Sequence, residues 1–143
     1  MALKQLTVFV KNHQGSLVHI TETLAAHNIN MRALSIADTA EYGILRLIVD
    51  DHETAVETLT TAGYLLQTTA VVGVKIGDAP GKLAQALAVL DVANINMEYL
   101  YAFMSRTEKH AYVVLRVTDN DVAEEALEEA GFHLITDADV AKL

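Results

Sequence analysis

The chain of 143 residues offers few groupings of side chains that could carry out chemistry. It has no cysteine, which excludes disulfides, thiolate nucleophiles and cysteine-based zinc sites. Its six histidines are never spaced two or four residues apart, a spacing that would let two imidazoles share a metal. The glycine-rich phosphate loops and the Gly-x-Ser-x-Gly element of serine hydrolases are absent from the sequence. We therefore expect no metal, no cofactor and no catalytic activity.

Two glycine turns are better candidates for a binding function. One spans residues 12–17 and the other spans residues 78–83, and each joins a predicted strand to a predicted helix. Glycine allows a ligand to approach the backbone closely, and the free amides at a helix start attract a carboxylate. The alternative is that each glycine serves only to form the turn.

The segment Asn-Ile-Asn-Met also occurs twice, at residues 28–31 and 94–97. The side-chain amides of Asn30 and Asn96 can both donate and accept hydrogen bonds, so they could hold an ammonium and a carboxylate together. Either amide could instead cap a turn. Asn28 and Asn94, at the start of each segment, are predicted to end a helix in the left-handed conformation.

These features recur because the chain is an internal repeat. When the sequence is shifted by 66 residues, positions 12–34 align with positions 78–100, and eight of the 23 pairs are identical. Farther along, Ala-Gly-Tyr ending at Tyr64 aligns with Ala-Gly-Phe ending at Phe132. We predict two units, residues 1–69 and residues 70–143, with no linker between them.

Each unit has the hydrophobic pattern of strand, helix, strand, strand, helix, strand. Apolar residues alternate in the first strand, as at Leu6 and Val8, and recur every three or four residues in the helix that follows. In the second unit, Asp121 with Glu124 three residues later predicts the start of the second helix through a capping box. A last strand is predicted at residues 132–136.

The predicted class is α+β, a ferredoxin-like βαββαβ unit repeated twice, with antiparallel sheets and the helices on one face. A unit of about 70 residues has a small core, and pairing the units would cover exposed sheet edges. We expect one eight-stranded sheet or two closely packed sheets. The aromatic side chains of Tyr99, Tyr101 and Phe103 share one strand face, which predicts packing against another sheet or subunit rather than a ligand box.

The net charge of −9 bears on the partners of the protein. RNA-recognition modules share the βαββαβ order but need a basic surface, and a negative field repels nucleic acids and anionic lipids. No apolar run is long enough to span a membrane. We expect a cytoplasmic protein without a nucleic-acid or membrane partner.

The glycine turn ending in Gly-x-Leu, followed about a dozen residues later by Asn-Ile inside a βαββαβ unit, resembles the ACT domain. The resemblance covers residues 3–76 and 70–140 as a tandem pair. It implies a regulatory protein that holds a free amino acid between two units. The turn of one unit would bind the carboxylate, and the asparagine that opens the second strand of the other would add polar contacts. Carried over by position, the implied ligand-binding residues are Asn12, Gln14, Gly15, Ser16, Leu17, Asn30, Met31, Asp78, Gly81, Lys82, Leu83, Asn96 and Met97.

The sequence departs from the family pattern in both turns. Gln14 stands where proline is usual, and Asp78 stands where the first unit has Asn12. Because Asp78 would repel a carboxylate beside it, we expect the two sites to be unequal. We expect a homodimer or higher oligomer that signals the amino acid to an unidentified regulated protein. The first alternative is an interaction module without a ligand, and the second is a small enzyme on the same fold.

Overall fold

The computed structural model describes residues 3–11, 13–38, 41–104 and 110–143. The strands are β1 (Leu3–Lys11), β2 (Met31–Asp38), β3 (Tyr42–Val49), β4 (Leu65–Gly77), β5 (Met97–Ala102), β6 (His110–Val117) and β7 (His133–Leu134). The helices are α1 (Ser16–Ala26), α2 (His52–Thr61), α3 (Lys82–Val92), α4 (Asn120–Glu129) and α5 (Asp137–Lys142). This order confirms the α+β class and the repeated ferredoxin-like unit.

The strands form one curled antiparallel sheet in the order β2-β3-β1-β4-β6-β5, with β7 also paired to β4. The first half of β4 pairs with β1, from Leu65 to Val71, and the second half pairs with β6, from Val72 to Gly77. One long strand therefore closes the first unit and opens the second. Because two predicted strands merge into β4, the sheet has seven strands where eight were expected. The prediction of no linker is confirmed. The proposed boundary after residue 69 lies inside β4.

Helices α1 to α4 cover the outer face of the sheet and bury two separate cores. The first core joins α1 and α2 to the first unit's strands, and the second joins α3 and α4 to the second unit's strands. Leu6 and Val8 are fully buried in the first core, as their alternation predicts, but Gln5 and Thr7 on the opposite face of β1 are buried as well, so the strand is covered on both faces and is not half-buried. Asn28 and Asn94 have φ angles of 56° and 58°, as predicted for helix ends.

A third core fills the inner face of the curled sheet and joins the two units. It contains Leu3 and Ile48 from the first unit and Tyr101, Phe103 and others from the second. The curl also brings β2 to β5, where Ala33 forms a bridge with Phe103. The predicted aromatic stripe therefore packs against the first unit's half of the same sheet.

Polar side chains inside this third core are joined by hydrogen bonds. Gln5 is fully buried, and its amide nitrogen donates to Thr7 Oγ1 at 2.9 Å and to the Tyr99 hydroxyl at 3.0 Å. The Tyr101 hydroxyl donates to Gln5 Oε1 at 2.6 Å. The guanidinium of Arg46 lies 3.8 Å from the centre of the Tyr99 ring. These bonds connect the first strand of one unit to the second strand of the other.

The C-terminal region differs from the sequence prediction in two places. The cap of α4 is Asp119, whose side chain accepts from Val122 N at 3.2 Å, so the capping box predicted from Asp121 is wrong. Asp119 has the extended backbone that a cap needs, whereas Asp121 is already in the first helical turn. The last strand is shortened to β7, because Thr136 caps the unpredicted helix α5 with Asp139.

Within the described residues, no helix is long and apolar enough to cross a membrane. In the same part of the chain, no three histidine or acidic side chains are grouped as metal ligands.

Candidate functional site

The two glycine turns have the same backbone geometry. Gly15 precedes α1 with φ 88°, and Gly81 precedes α3 with φ 86°, and among the described residues neither helix start has a side-chain cap. The carbonyls of Gly15 and Gly81 accept from His19 N and Gln85 N, both at 3.0 Å, as the first helical bonds. Adopting the left-handed conformation at this point would cost a non-glycine residue about 1–2 kcal/mol. Both turns therefore present first-turn amides without a capping side chain.

A cavity of about 490 Å³ lies beside the first of these turns. This volume is within the range of small-molecule pockets. The cavity is formed by the end of β1, the start of α1 and the start of β4. Its lining residues are Phe9, Val10, Lys11, His13, Gln14, Gly15, Ser16, His19, Tyr42, Gly63, Tyr64 and Leu65.

Polar side chains that line the cavity form two hydrogen-bonded pairs. The hydroxyl of Ser16 lies 2.9 Å from His13 Nδ1, which holds the imidazole against the turn. His19 Nδ1 and the Tyr64 hydroxyl form a second hydrogen bond, with their ring centres 5.7 Å apart. Burial raises the pKa of Tyr64, so its hydroxyl keeps its proton at neutral pH.

The cavity brings together three of the predicted ligand residues, Gln14, Gly15 and Ser16. Leu17 follows them on α1 and is 39% exposed. Asn12 lies outside the described residues. Asn30, Met31, Asn96 and Met97 are not among the residues that line this cavity.

The two predicted asparagines lie at junctions between a helix and a strand. Asn30 N donates to Asp50 Oδ1 at 2.9 Å, and the Asn30 carbonyl accepts from Asp50 N at 3.1 Å. The Asn96 carbonyl accepts from Thr118 N at 3.0 Å. Main-chain bonds thus hold both junctions, and Met31 and Met97 pack on the first and second cores respectively.

The register of the sheet separates Asn96 from the Gly15 turn along the direction of β4. The turn follows β1, whose residue Phe9 is paired with Leu65 at the start of β4. Asn96 precedes β5, and Arg116 on the neighbouring strand donates to the carbonyl of Ala70 at 2.8 Å. Residues 65 and 70 are about 17 Å apart along an extended strand. The predicted pairing of this turn with Asn96 stays a prediction, and the two groups do not share the cavity of one chain.

The second turn places its predicted residues differently from the first. Leu83 packs on the second core, and the Lys82 side chain lies over Gly77, where an added Cβ would be 3.2 Å from Lys82 Cγ. Asp78 and Gly81 lie in the turn before α3. At positions equivalent to His19 and Tyr64, the second unit has Gln85 and Phe132.

The family model of the ACT domain pair matches residues 1–143. The chain belongs to the ACT domain pair family.

Among solved structures, this ACT domain pair is similar to protein BT0572 from Bacteroides thetaiotaomicron, with 38% identity and a TM-score of 0.93. The alignment covers 100% of this chain and 98% of that one. The regulatory subunit of aspartate kinase from Thermus thermophilus shares the fold at 15% identity and a TM-score of 0.65, with 92% and 94% of the two chains covered. The equivalent subunit from Thermus flavus has 15% identity and a TM-score of 0.61, with 91% and 93% covered. The comparison with curated proteins gives no match.

Several residues lining the cavity of this ACT domain pair were not predicted from the sequence. They include Lys11, His19, Tyr42 and Tyr64. A motif search does not detect them because they come from four separate elements or turns. His19 and Tyr64 differ from their equivalents in the second unit, but so do most aligned positions, so a comparison of the two units does not single them out.

Proposed function

We propose that this ACT domain pair is a non-catalytic regulatory protein that binds a free amino acid in the cavity beside Gly15. The observation that carries the proposal is the contact between this cavity and an uncapped helix start. Amides at a helix start favour a carboxylate, and a glycine at the turn leaves the backbone open to the ligand. The shared fold with regulatory subunits of aspartate kinases supports a regulatory role.

A second copy of the chain completes the site in this proposal. Since Asn96 of the same chain is displaced along β4 from the Gly15 turn, the partner copy supplies the asparagine contact. The second half of β2, beyond the bridge of Ala33 to Phe103, supports association between copies, because it carries the exposed apolar side chains of Leu34 and Ile36. Ligand binding regulates only if it favours one association state over another, since equal affinity shifts no equilibrium. The regulated partner would then recognise that state in the cytoplasm.

The same part of β2 also favours a second candidate function. Ile36 is 50% exposed and Leu34 is 37% exposed, and exposed apolar groups promote association with another protein surface. In that case the chain would be an oligomerisation module that pairs with a second copy of itself and binds no amino acid.

Thermal unfolding in the presence of each of the twenty amino acids tests the proposed function. A ligand at 100 times its dissociation constant stabilises the folded protein by about 2.7 kcal/mol, which raises the midpoint by about 5–10 °C. We expect one amino acid, or a small related group, to give this shift. Asn96→Ala should reduce the shift without lowering the midpoint of the free protein by more than a few degrees, and Glu125→Ala, at an exposed position of α4, is the surface control.

Sedimentation velocity distinguishes the two candidates. The proposed function expects the ligand to change the distribution between monomer and dimer. If no amino acid raises the midpoint, but the protein is a dimer that Ile36→Lys dissociates, the oligomerisation module is correct and the binding proposal is wrong.

A further inference from the structure

The cavity beside Gly15 differs in charge from the rest of the molecule. The chain has nineteen acidic residues against ten basic ones. Among the described residues that line the cavity, however, none carries a carboxylate, while Lys11, His13 and His19 contribute a cation and two imidazoles. A cluster of this kind on an acidic protein attracts anions and disfavours cations.

The polar groups of the cavity come from neighbouring parts of the first unit. The Gly15 turn provides the helix start, and the His19–Tyr64 pair joins the first turn of α1 to the residue before β4. His19 is exposed and Tyr64 is half-buried, so their polar atoms remain accessible to a ligand. Tyrosine hydroxyls and imidazole nitrogens can donate to a carboxylate. Between these groups, Phe9 and Leu65 provide apolar surface for methylene groups.

The second unit lacks this pair, although it keeps the turn. Gln85 replaces His19, and Phe132 replaces Tyr64 and has no hydroxyl. The Lys82 side chain lies over Gly77, the last residue of β4 before the second turn. The glycine turn is therefore common to both units, whereas the His19–Tyr64 pair is found only in the first.

From this geometry we infer that the first unit's cavity is selective for an acidic amino acid. The inference rests on the proposed function and adds the ligand class. The α-carboxylate binds at the Gly15 helix start, and the side-chain carboxylate accepts one hydrogen bond from the His19–Tyr64 pair, in which one member donates to the other and the second donates to the ligand, with Lys11 adding attraction. His19 and Tyr64 are then the specificity-determining residues. A neutral amide side chain of the same size lacks the charge that these groups stabilise.

Calorimetric titration of the full chain with paired ligands tests the inference. The probes are L-glutamate and L-aspartate, their amides L-glutamine and L-asparagine, L-lysine, and the dicarboxylate succinate. We expect an acidic amino acid to bind about tenfold or more tightly than its amide, because hydrogen bonds to charged groups are stronger than neutral ones. Added salt should weaken this preference.

Each outcome distinguishes the inference from the proposed function. If a neutral amino acid binds as tightly as the acidic ones, the acidic selectivity is wrong and the amino-acid-binding function stands. If succinate binds as tightly as glutamate, the site is a general dicarboxylate site and the amino-acid function is wrong. If none of the twenty amino acids binds, both are wrong.

The repeat offers matched variants for the two selecting residues. His19→Gln and Tyr64→Phe introduce the residues of the second unit, and each should weaken binding of the acidic ligand about tenfold while leaving binding of its amide nearly unchanged. The reverse substitutions Gln85→His and Phe132→Tyr are controls that should leave affinity unaltered. Circular dichroism verifies that each variant is folded. If a variant weakened binding of the acidic ligand and of its amide equally, the His19–Tyr64 pair would only support the structure. That result would overturn its role in selecting the ligand.

Discussion

The buried side chain of Gln5 shows how a single residue can hold the two units together. Its amide nitrogen has two acceptors, and its oxygen accepts from the Tyr101 hydroxyl. Burial raises the pKa of Tyr101 well above its usual value, so the hydroxyl stays protonated and remains a donor. A polar group that is buried and fully paired is stable, whereas a buried group that loses its partner is costly.

This network predicts strong coupling between Gln5 and Tyr101. Gln5→Leu leaves the Tyr101 hydroxyl buried without its acceptor, and we expect a loss of about 1–3 kcal/mol in the free energy of unfolding. Tyr101→Phe should cost about 1–2 kcal/mol. In the double variant both unpaired groups are gone, so the combined loss should be less than the sum of the two single losses. Urea unfolding measures all three, and additive losses would contradict the network.

At the scale of elements, helix starts are of two kinds in this chain. Helices α1 and α3 begin at left-handed glycines without a capping side chain, whereas α2 and α4 are capped by Asp51 and Asp119. Hydrogen bonds from Thr54 lower the pKa of Asp51, as expected for a carboxylate that caps a helix. The acidic caps stabilise α2 and α4, whereas at α1 and α3 the first amide donates to a carbonyl of the turn, from Ser16 N to His13 and from Lys82 N to Ala79, and no side chain caps the amides that follow within the described residues.

The corrected position of the α4 cap leads to a prediction at this scale. Asp119→Ala removes the acceptor of Val122 N and should lower the free energy of unfolding by about 1 kcal/mol. Asp121→Ala removes only a favourable charge in the first turn and should cost a few tenths of a kcal/mol. Chemical denaturation of the two variants compares them directly. If Asp121→Ala lowered the free energy of unfolding more than Asp119→Ala, Asp121 would be the cap, as the sequence predicted.

At the scale of the whole molecule, β4 and the third core make the two units interdependent. β4 contributes to both halves of the sheet, and Gly73 on it allows close approach of the first unit. An added Cβ there would lie 2.4 Å from Leu3 Cδ1 and 3.3 Å from Ile135 Cβ. Helix α5 packs Val140 into the same core. Neither unit keeps a complete sheet or a covered inner face without the other.

We therefore predict that the chain unfolds in one cooperative transition. Calorimetry should give a calorimetric enthalpy equal to the van't Hoff enthalpy, at roughly 100 kcal/mol for a chain of this size. Leu59→Ala in the first core and Ile135→Ala in the third should each cost about 2–5 kcal/mol and lower the same single midpoint. Two resolved transitions, with Leu59→Ala moving only one of them, would show that the units fold independently.

The sequence by itself determined the repeated unit, because periodic apolar residues and repeated glycines and asparagines are local properties of the chain. Val8 is buried as its alternation predicts, and Asn28 and Asn94 end their helices in the left-handed conformation. The same local information led to a wrong cap at Asp121, since two nearby aspartates compete and only the backbone angles decide between them. The Thr136 cap of α5 is also a local signal in the sequence, but helix α5 was not predicted.

Only the tertiary structure decided how the units share β4 and which side chains meet at the cavity. The merging of two predicted strands depends on pairing with β1 and β6, and both partners are distant in sequence. The meeting of His19 with Tyr64 depends on the packing of α1 beside the start of β4, across 45 residues of chain. Contacts of this kind follow from how several elements pack together, and no local pattern of residues specifies them.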